Sequence, residues 1–414
     1  MKNFLGLWKE KSRQFILPIY FLGRFGLGKS QMKILKTFLR AGFFEETSDQ
    51  VSLEAAVRWL KSAQEACNGR GISAKFSVRR GWDVAYPETS GYILVTLLTY
   101  GEIFNQPDFF EHAVQIGNWE IDLQTDTGGG ILSTPQSEKT RIFNTGQVIL
   151  GWCHLYEKTG KTKYLAAAVK AAEYLRAKQE KDGSWIQDTF CGPRTYHARV
   201  DWSLLRVAQL SGHKEFIETA VNNLKWVALN QNDNGWFNNC GFGEDLPNMH
   251  VISYTLRGLF ECDRLNCTFE QEEISALNLT SRLLKTTDAL CDIADRQPLF
   301  GIPGMLPTSY DKNWLSKDRH ACLTGNAQFA CLLYRLNQVI PSERYTRVAD
   351  AMMEAIKRTQ IKFCDFPEIN GAIAGSYPFY SGYLNRAFPN WATKFFIDGL
   401  IMRNQRIEGL NIPA

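Results

Sequence analysis

From about residue 47 onward the apolar positions of this chain recur every three or four residues, the period of a helix. The helical segments fall into two kinds. Residues 51–66, 108–124, 163–179, 214–231, 268–291 and 344–360 carry one apolar stripe and one polar face. Residues 91–104, 145–160, 201–213, 251–265, 324–339 and 390–405 are apolar around most of their circumference. A one-sided helix belongs at a surface, and an all-round apolar helix belongs inside. The two kinds alternate strictly, in six pairs. The pattern predicts an all-α fold, an (α/α)6 toroid (barrel) in which six inner helices are ringed by six outer ones.

A repeated phrase supports one domain over several. Trp59-Leu-Lys-Ser-Ala-Gln64 is echoed at Trp119 to Gln124, at Tyr174 to Gln179 and at Trp226 to Gln231, with a fainter copy ending at Gln360. Three of these copies run into Gly-bearing turns. Self-similarity at a near-constant period marks a repeated supersecondary unit. Turns from an inner to an outer helix are short, as at 157–160 and 210–213, and each holds a Gly that can stop a helix. The return linkers are long: 67–90, 125–144, 180–200, 232–250, 292–323 and 361–389. In a toroid all six lie at one rim, and long loops on a rigid scaffold are where function concentrates.

Charge separates the chain into two parts. Lys2, Lys9, Lys11, Arg13, Arg24, Lys29, Lys33, Lys36 and Arg40 face only Glu10 within residues 1–40, although the whole chain is only +4. Residues 1–46 are therefore expected to be a basic amphipathic N-terminal arm, and residues 47–414 a net acidic toroid that forms the catalytic domain. Apolar residues interleave with the arm's charges. The arm suits either a peripheral contact with an anionic membrane or packing on its own barrel. Its apolar runs are too interrupted for a signal peptide or a spanning helix. A cytoplasmic location is expected, with the arm reaching the inner face of the membrane in the first case. No nucleic-acid partner is expected. Ten Cys are present, with no C-x-x-C pair, which suits reduced thiols. Cys240 and His250 are too loosely spaced to argue for zinc, and neither a metal nor a cofactor is expected. Residues 23–30 fit the P-loop pattern, but no βαβ units follow it, so they are read as a chance match.

The long linkers and the first turns after them collect aromatic, acidic, basic and amide side chains. Lys75, Trp82, Asp83, Tyr86, Glu88 and Tyr92 come from the first. Tyr196, His197, Arg199 and Asp201 come from the third, His250 and Tyr254 from the fourth, Asn326 from the fifth, and Tyr380 and Asn390 from the sixth. Aromatic faces take sugar rings, amides and carboxylates take hydroxyls, and Arg or Lys takes acidic groups. Each also has a plainer reading. Trp185 and Trp236 can be repeat-packing residues, Glu88 and Asp201 can stabilise helix N-termini, and Asn390 can be an N-cap.

The alternation, with the segments 81–92, Phe143-Asn-Thr-Gly-Gln147, Thr324-Gly-Asn-Ala-Gln328 and 377–394, resembles a family of α/α-toroid proteins of bacterial exopolysaccharide and capsule biosynthesis. Its members are often described as prenyltransferase-like or squalene-cyclase-like. The chain lacks the Asp-x-Asp-Asp motif of terpene cyclases and the Asp, Cys, His zinc set of prenyltransferases. Tyr86-Pro-Glu-Thr-Ser-Gly-Tyr92 also resembles, more distantly, a stretch in the toroid domain of glucuronyl C5-epimerases. There a Glu precedes the Tyr, whereas here Ala85 holds that place and Glu88 follows.

The expected function is that of a carbohydrate-active enzyme on an acidic, uronate-containing poly- or oligosaccharide, starting with proton abstraction at C5. Glu88, Tyr86, Tyr254, Asp201 and His197 are the candidate catalytic residues. Lys75, Trp82, Asp83, Tyr92, Tyr196, Arg199, His250, Asn326, Tyr380 and Asn390 are the candidate substrate-binding residues. Reprotonation would give C5-epimerisation, and loss of the C4 substituent would give a lyase reaction. Two alternatives stand beside this reading: a glycoside hydrolase with paired carboxylates from Asp83, Glu88 and Asp201, and a non-catalytic glycan-binding subunit of a synthesis complex.

Overall fold

A computed structural model describes residues 47–408, apart from 245, 363–365 and 381. The expected arm, with its P-loop-like stretch, lies outside the described residues. Helices α1 (Asp49–Glu65), α2 (Pro87–Ile103), α3 (Asp108–Asp122), α4 (Ile142–Thr159), α5 (Thr162–Ala177) and α6 (Ala198–Ser211) come first. Then follow α7 (Glu215–Leu229), α8 (Met249–Phe269), a short α9 (Glu272–Ala276), α10 (Leu279–Arg296), α11 (Leu323–Val339), α12 (Glu343–Lys357) and α13 (Asn390–Glu408). Helices α2, α4, α6, α8, α11 and α13 form the inner ring. Each packs on the next, and α13 returns to α2. Each inner helix also packs on the outer helix that follows it, with α13 meeting α1 to close the circle. The core lies between the rings. The inner helices are buried along most of their length, and the outer ones along a single stripe.

The repeated Gln is the joint between units. Gln64 Nε2 donates to Gly69 O at 3.1 Å and to His112 O, in the next outer helix, at 3.2 Å. Gln124 reaches Gly129 O (3.0 Å) and Ala167 O (2.9 Å), and Gln179 reaches Gly183 O (3.0 Å) and Thr219 O (2.9 Å). Gln231 bonds Gly235 O (3.4 Å) and Arg282 O (2.9 Å). The faint copy at Gln360 bonds Gly371 O (2.8 Å) and Ser52 O (2.9 Å), tying the last outer helix to the first. The glycines are required sterically. Gly183 has φ +86° and Gly371 φ +95°, and a Cβ there would sit 2.3 Å from Asn222 O and 2.1 Å from Ala55 O. Trp185 is fully buried and donates to Leu175 O at 2.9 Å, so it is a packing residue of the repeat.

Two details depart from the sequence expectation. The helix expected over 268–291 is broken: α8 runs on to Phe269, and α10 starts only at Leu279. Glu270 (φ 52°) and Asn278 (φ 51°) are left-handed there and end the helical runs. The rim linkers also contain strands. β1 (Lys75–Ser77) pairs antiparallel with β2 (Gly81–Trp82) and with β5 (Ala387–Pro389), in the register Phe76 to Phe388. β3 (Ala321–Cys322) pairs with β4 (Ser376–Tyr377). Strands of two or three residues are too short to show a period in sequence. They stitch the first and fifth linkers to the sixth, so the rim closes where the last long linker meets the first. Among the described residues, no helix is long and apolar enough to cross a membrane.

Candidate active site

The inner helices all begin at the long-linker rim, and their first turns meet in the lumen. Glu88, in the first turn of α2, is buried, and Tyr86 OH donates to its Oε2 at 2.8 Å. Burial raises the Glu88 carboxyl to about 7, against the opposing pull of the Tyr86 hydrogen bond and the Arg199 charge. A carboxyl poised near neutrality can both take and give a proton. One turn further into the lumen, Tyr92 OH and Tyr254 OH lie 3.1 Å apart, bridging α2 and α8. Burial pushes both hydroxyls well above the ordinary tyrosine range, and the Glu88 charge adds to it, so both stay protonated donors.

Arg199, near the start of α6, supplies the positive charge. Its guanidinium lies over the rings of Tyr254 (4.8 Å) and Tyr92 (5.6 Å), and its Nε donates to Gln147 Oε1 at 2.7 Å. Burial lowers its pKa from the usual arginine value. Gln147 Nε2 is buried with no hydrogen-bond partner among the described residues. His250 stacks 4.4 Å from Tyr254 and 5.7 Å from Tyr383, with its Nδ1 held 3.1 Å from Gln328 Oε1. Burial drives His250 down to about 3, so it is neutral at physiological pH. The structure thus brings Glu88, Tyr86, Tyr92, Arg199, His250 and Tyr254 into one group.

The other candidates go elsewhere. Asp201 is fully buried, neither of its carboxyl oxygens has a hydrogen-bond partner, and burial alone raises its pKa far above the usual range. It is a neutral carboxyl sealed in the wall. His197 packs among Tyr196 (5.0 Å), Trp185 (5.8 Å) and Phe143 (6.5 Å), and burial, then the Arg194 charge, lowers it to about 3. Tyr196 OH lies 3.9 Å from Cys191 Sγ, at the edge of the Glu88 group. Lys75 and Asp83 pair with each other at 2.6 Å on the β1–β2 hairpin. Trp82 packs on Trp59 (5.5 Å) and Phe76 (5.3 Å), behind the rim. Asn326 and Asn390 spend their amides on the scaffold. Asn326 holds Leu306 N (2.9 Å) and Cys322 O (2.9 Å), and Asn390 holds Ser73 O (2.9 Å) and Thr89 Oγ1 (2.9 Å). Ser90, Thr145 and Thr393 similarly hold the linker amides of Ile72, Ile131 and Ile373. Tyr380 stands exposed on the sixth linker.

Gln147, Gln328 and Tyr383 join the group without having been singled out as site residues. The signal for the two Gln was the parallel Thr145-Gly-Gln147 and Thr324-Gly-Asn-Ala-Gln328 phrasing at the start of two inner helices. Cys240 and His250 do not form a metal pair, since Cys240 Sγ lies 3.6 Å from Thr255 Oγ1 while His250 turns to Gln328. Among the described residues no three His, Cys, Asp or Glu side chains converge as a metal set.

No protein-family model matches the sequence, and no curated protein matches it. Solved structures match its shape. An unsaturated glucuronyl hydrolase from Bacillus sp. GL1 superposes with a TM-score of 0.64 at 12% identity, covering 88% of this chain and 98% of its own. A cellobiose 2-epimerase from Bacillus thermoamylovorans gives 0.64 at 8% identity, covering 84% and 98%. A polysaccharide lyase gives 0.63 at 13% identity, covering 89% and 100%. The chain has the α/α-toroid fold of these carbohydrate-active enzymes. At such low identity the likeness concerns the fold alone.

Proposed function

We propose that this protein is a carbohydrate-active enzyme that acts on a uronate-containing glycan by removing the proton at C5. The observation that carries the reading is the Glu88 carboxyl, held near neutrality beside a buried guanidinium and two protonated tyrosines. A C5–H next to a carboxylate is weakly acidic, because removing it builds a second negative charge. Arg199 would pair with the sugar carboxylate and hold that growing charge in a water-poor site. Glu88 would take the proton, with Tyr86 fixing its orientation. Tyr254, backed by Tyr92 and Gln328, would supply a proton from another side, giving C5-epimerisation. Departure of the C4 substituent instead would give an unsaturated uronide, the lyase outcome. The substrate would belong to polysaccharide assembly, a reading supported by the sequence resemblance to exopolysaccharide proteins, and the basic arm would bring the enzyme to an anionic membrane.

Proton NMR of uronate glycans incubated with the protein in deuterated water tests this. Deuterium at C5, with or without a new double bond, is the expected result. Chain shortening with C5 still protonated would replace it with hydrolysis, a reading favoured by the fold shared with glucuronyl hydrolases. That reaction would have to run on Glu88 without Asp201, which is sealed. No change on any uronate glycan, together with measurable glycan binding, would make the protein a binding subunit.

A further inference from the structure

A cavity lies in the lumen beyond the Tyr92–Arg199–Tyr254 layer, toward the short-turn mouth. It is lined by the middle and later turns of the inner helices: Thr96 and Thr99 of α2, His154 of α4, Trp202 and Arg206 of α6, Arg257 of α8, Arg335 of α11 and Asp398 of α13. Its volume is about 110 Å³, room for a few waters at about 30 Å³ each. Arg199 and Lys394 form its floor and are buried, whereas the Arg206 side chain toward the mouth is 19% exposed. The cavity therefore opens at the end opposite the long linkers.

Five cations line this space: Arg199, Arg206, Arg257, Arg335 and Lys394. Three carboxylates answer them. Glu261 takes Arg257 (2.6 Å) and Arg335 (3.3 Å), Glu157 takes Arg206 (2.5 Å), and Asp398 takes Lys394. Positive charge is left over in a partly dry cavity, which is costly until an anion shares it. Arg335 Nε is buried with no hydrogen-bond partner among the described residues, on a side chain only 9% exposed. Arg199 and Arg257 lie over the Trp202 ring at 5.3 and 5.4 Å, which holds both guanidinium groups at the wall of the space.

We propose that this cavity is an anion-binding site, sharing Arg199 and Tyr92 with the Glu88 group as its floor but entered from the opposite end, that takes the carboxylate or phosphate of a small acidic ligand through the short-turn mouth. Arginine forks match both oxyanions geometrically. The proposal does not depend on the chemistry assigned to Glu88.

The test is calorimetric titration of the full chain with inorganic phosphate, with glucuronate and with glucose, on the native protein and on Arg206→Gln, Arg257→Gln and Glu88→Gln. The expected result is saturable binding of phosphate, glucuronate or both, weakened by rising salt, absent for glucose, weakened at least tenfold by either arginine substitution and retained in Glu88→Gln. Tighter phosphate binding assigns the site to a phosphoryl group, and tighter glucuronate binding to a uronate. Arg257→Gln leaves Glu261 paired with Arg335, and Arg206 is partly exposed, so at least one of the two variants should fold, as checked by circular dichroism. Absence of binding by both anions, or binding that neither arginine substitution changes, overturns the proposal. In that case the arginines serve the scaffold as ion-pair partners of Glu157 and Glu261. C5 exchange measured on Arg206→Gln keeps the two proposals distinguishable, because this residue plays no part at Glu88.

Discussion

The two ends of the lumen are built from the same six helices, yet they hold opposite chemistry. At the long-linker end a lone carboxyl, Glu88, sits among tyrosines with no carboxylate partner, and burial wins over the nearby Arg199 charge. At the short-turn end another buried carboxyl, Glu261, lies between Arg257 and Arg335. Burial works against its charge there too, but the two guanidiniums outweigh it and hold the group below the usual range. The difference teaches that depth alone does not set protonation in this barrel. What matters is whether a cation reaches hydrogen-bonding distance.

The comparison can be broken most sharply by chemistry. Glu88→Gln and Tyr254→Phe should each cut the rate of C5 exchange by about 10²–10⁴-fold, read by deuterium incorporation, while Arg206→Gln leaves it unchanged. Equal losses in all three would erase the distinction between the two ends. The next effect is on folding. Glu261→Ala strands two guanidinium groups and should cost about 3–5 kcal/mol, measured by urea unfolding, whereas Glu88→Gln removes no charge partner and should cost far less.

A pH series sharpens the contrast. The Glu88 carboxyl has a folded-state pKa of about 7 against an ordinary 4.5. The native protein therefore loses stability as pH rises through this window, because a neutral group must ionise while buried. Glu88→Gln should match the native protein near pH 4 and exceed it above pH 7, by up to about 3 kcal/mol. Melts at pH 4 and pH 8 give the sign, and equal gaps at the two values would sink the assignment. The smallest effect belongs to the scaffold shared by both ends. Gln179→Leu removes the donor that ties Gly183 O to Thr219 O, although Asn223 Nδ2 still donates to Gly183 O, and should cost about 0.5–1.5 kcal/mol, seen as a lower Tm with no change in C5 exchange per folded molecule.

The scaffold was the legible part. The Gln and Gly of each copy bond the same backbone sites in successive units, so their function repeats and their spacing repeats with it. The site was legible only in part. Glu88, Tyr86, Tyr92, Arg199, His250 and Tyr254 stood out as chemistry-bearing residues at the rim, but so did Trp82, Asn326 and Asn390, which serve packing and linker geometry. A side chain's type does not say which way it points when an inner helix is buried on every face. Gln147 stood in a recognisable motif, but its use, holding Arg199 Nε, depends on a helix 52 residues away in sequence.

By itself the sequence determined the alternation of one-sided and all-round apolar helices, and with it the ring, because hydrophobic burial depends on local period. It also determined which loops would be long, and so which rim would carry most of the polar side chains. Only the tertiary structure decided which of these residues meet. Tyr92 and Tyr254 are 162 positions apart and touch because the ring is round. The arginine-lined cavity was hidden for the same reason: Arg206, Arg257 and Arg335 lie on three different helices, and nothing in their local sequence links them. Closure of the ring turns them toward a common space, and desolvation there gives them, like Glu88 at the other end, properties that no residue has alone.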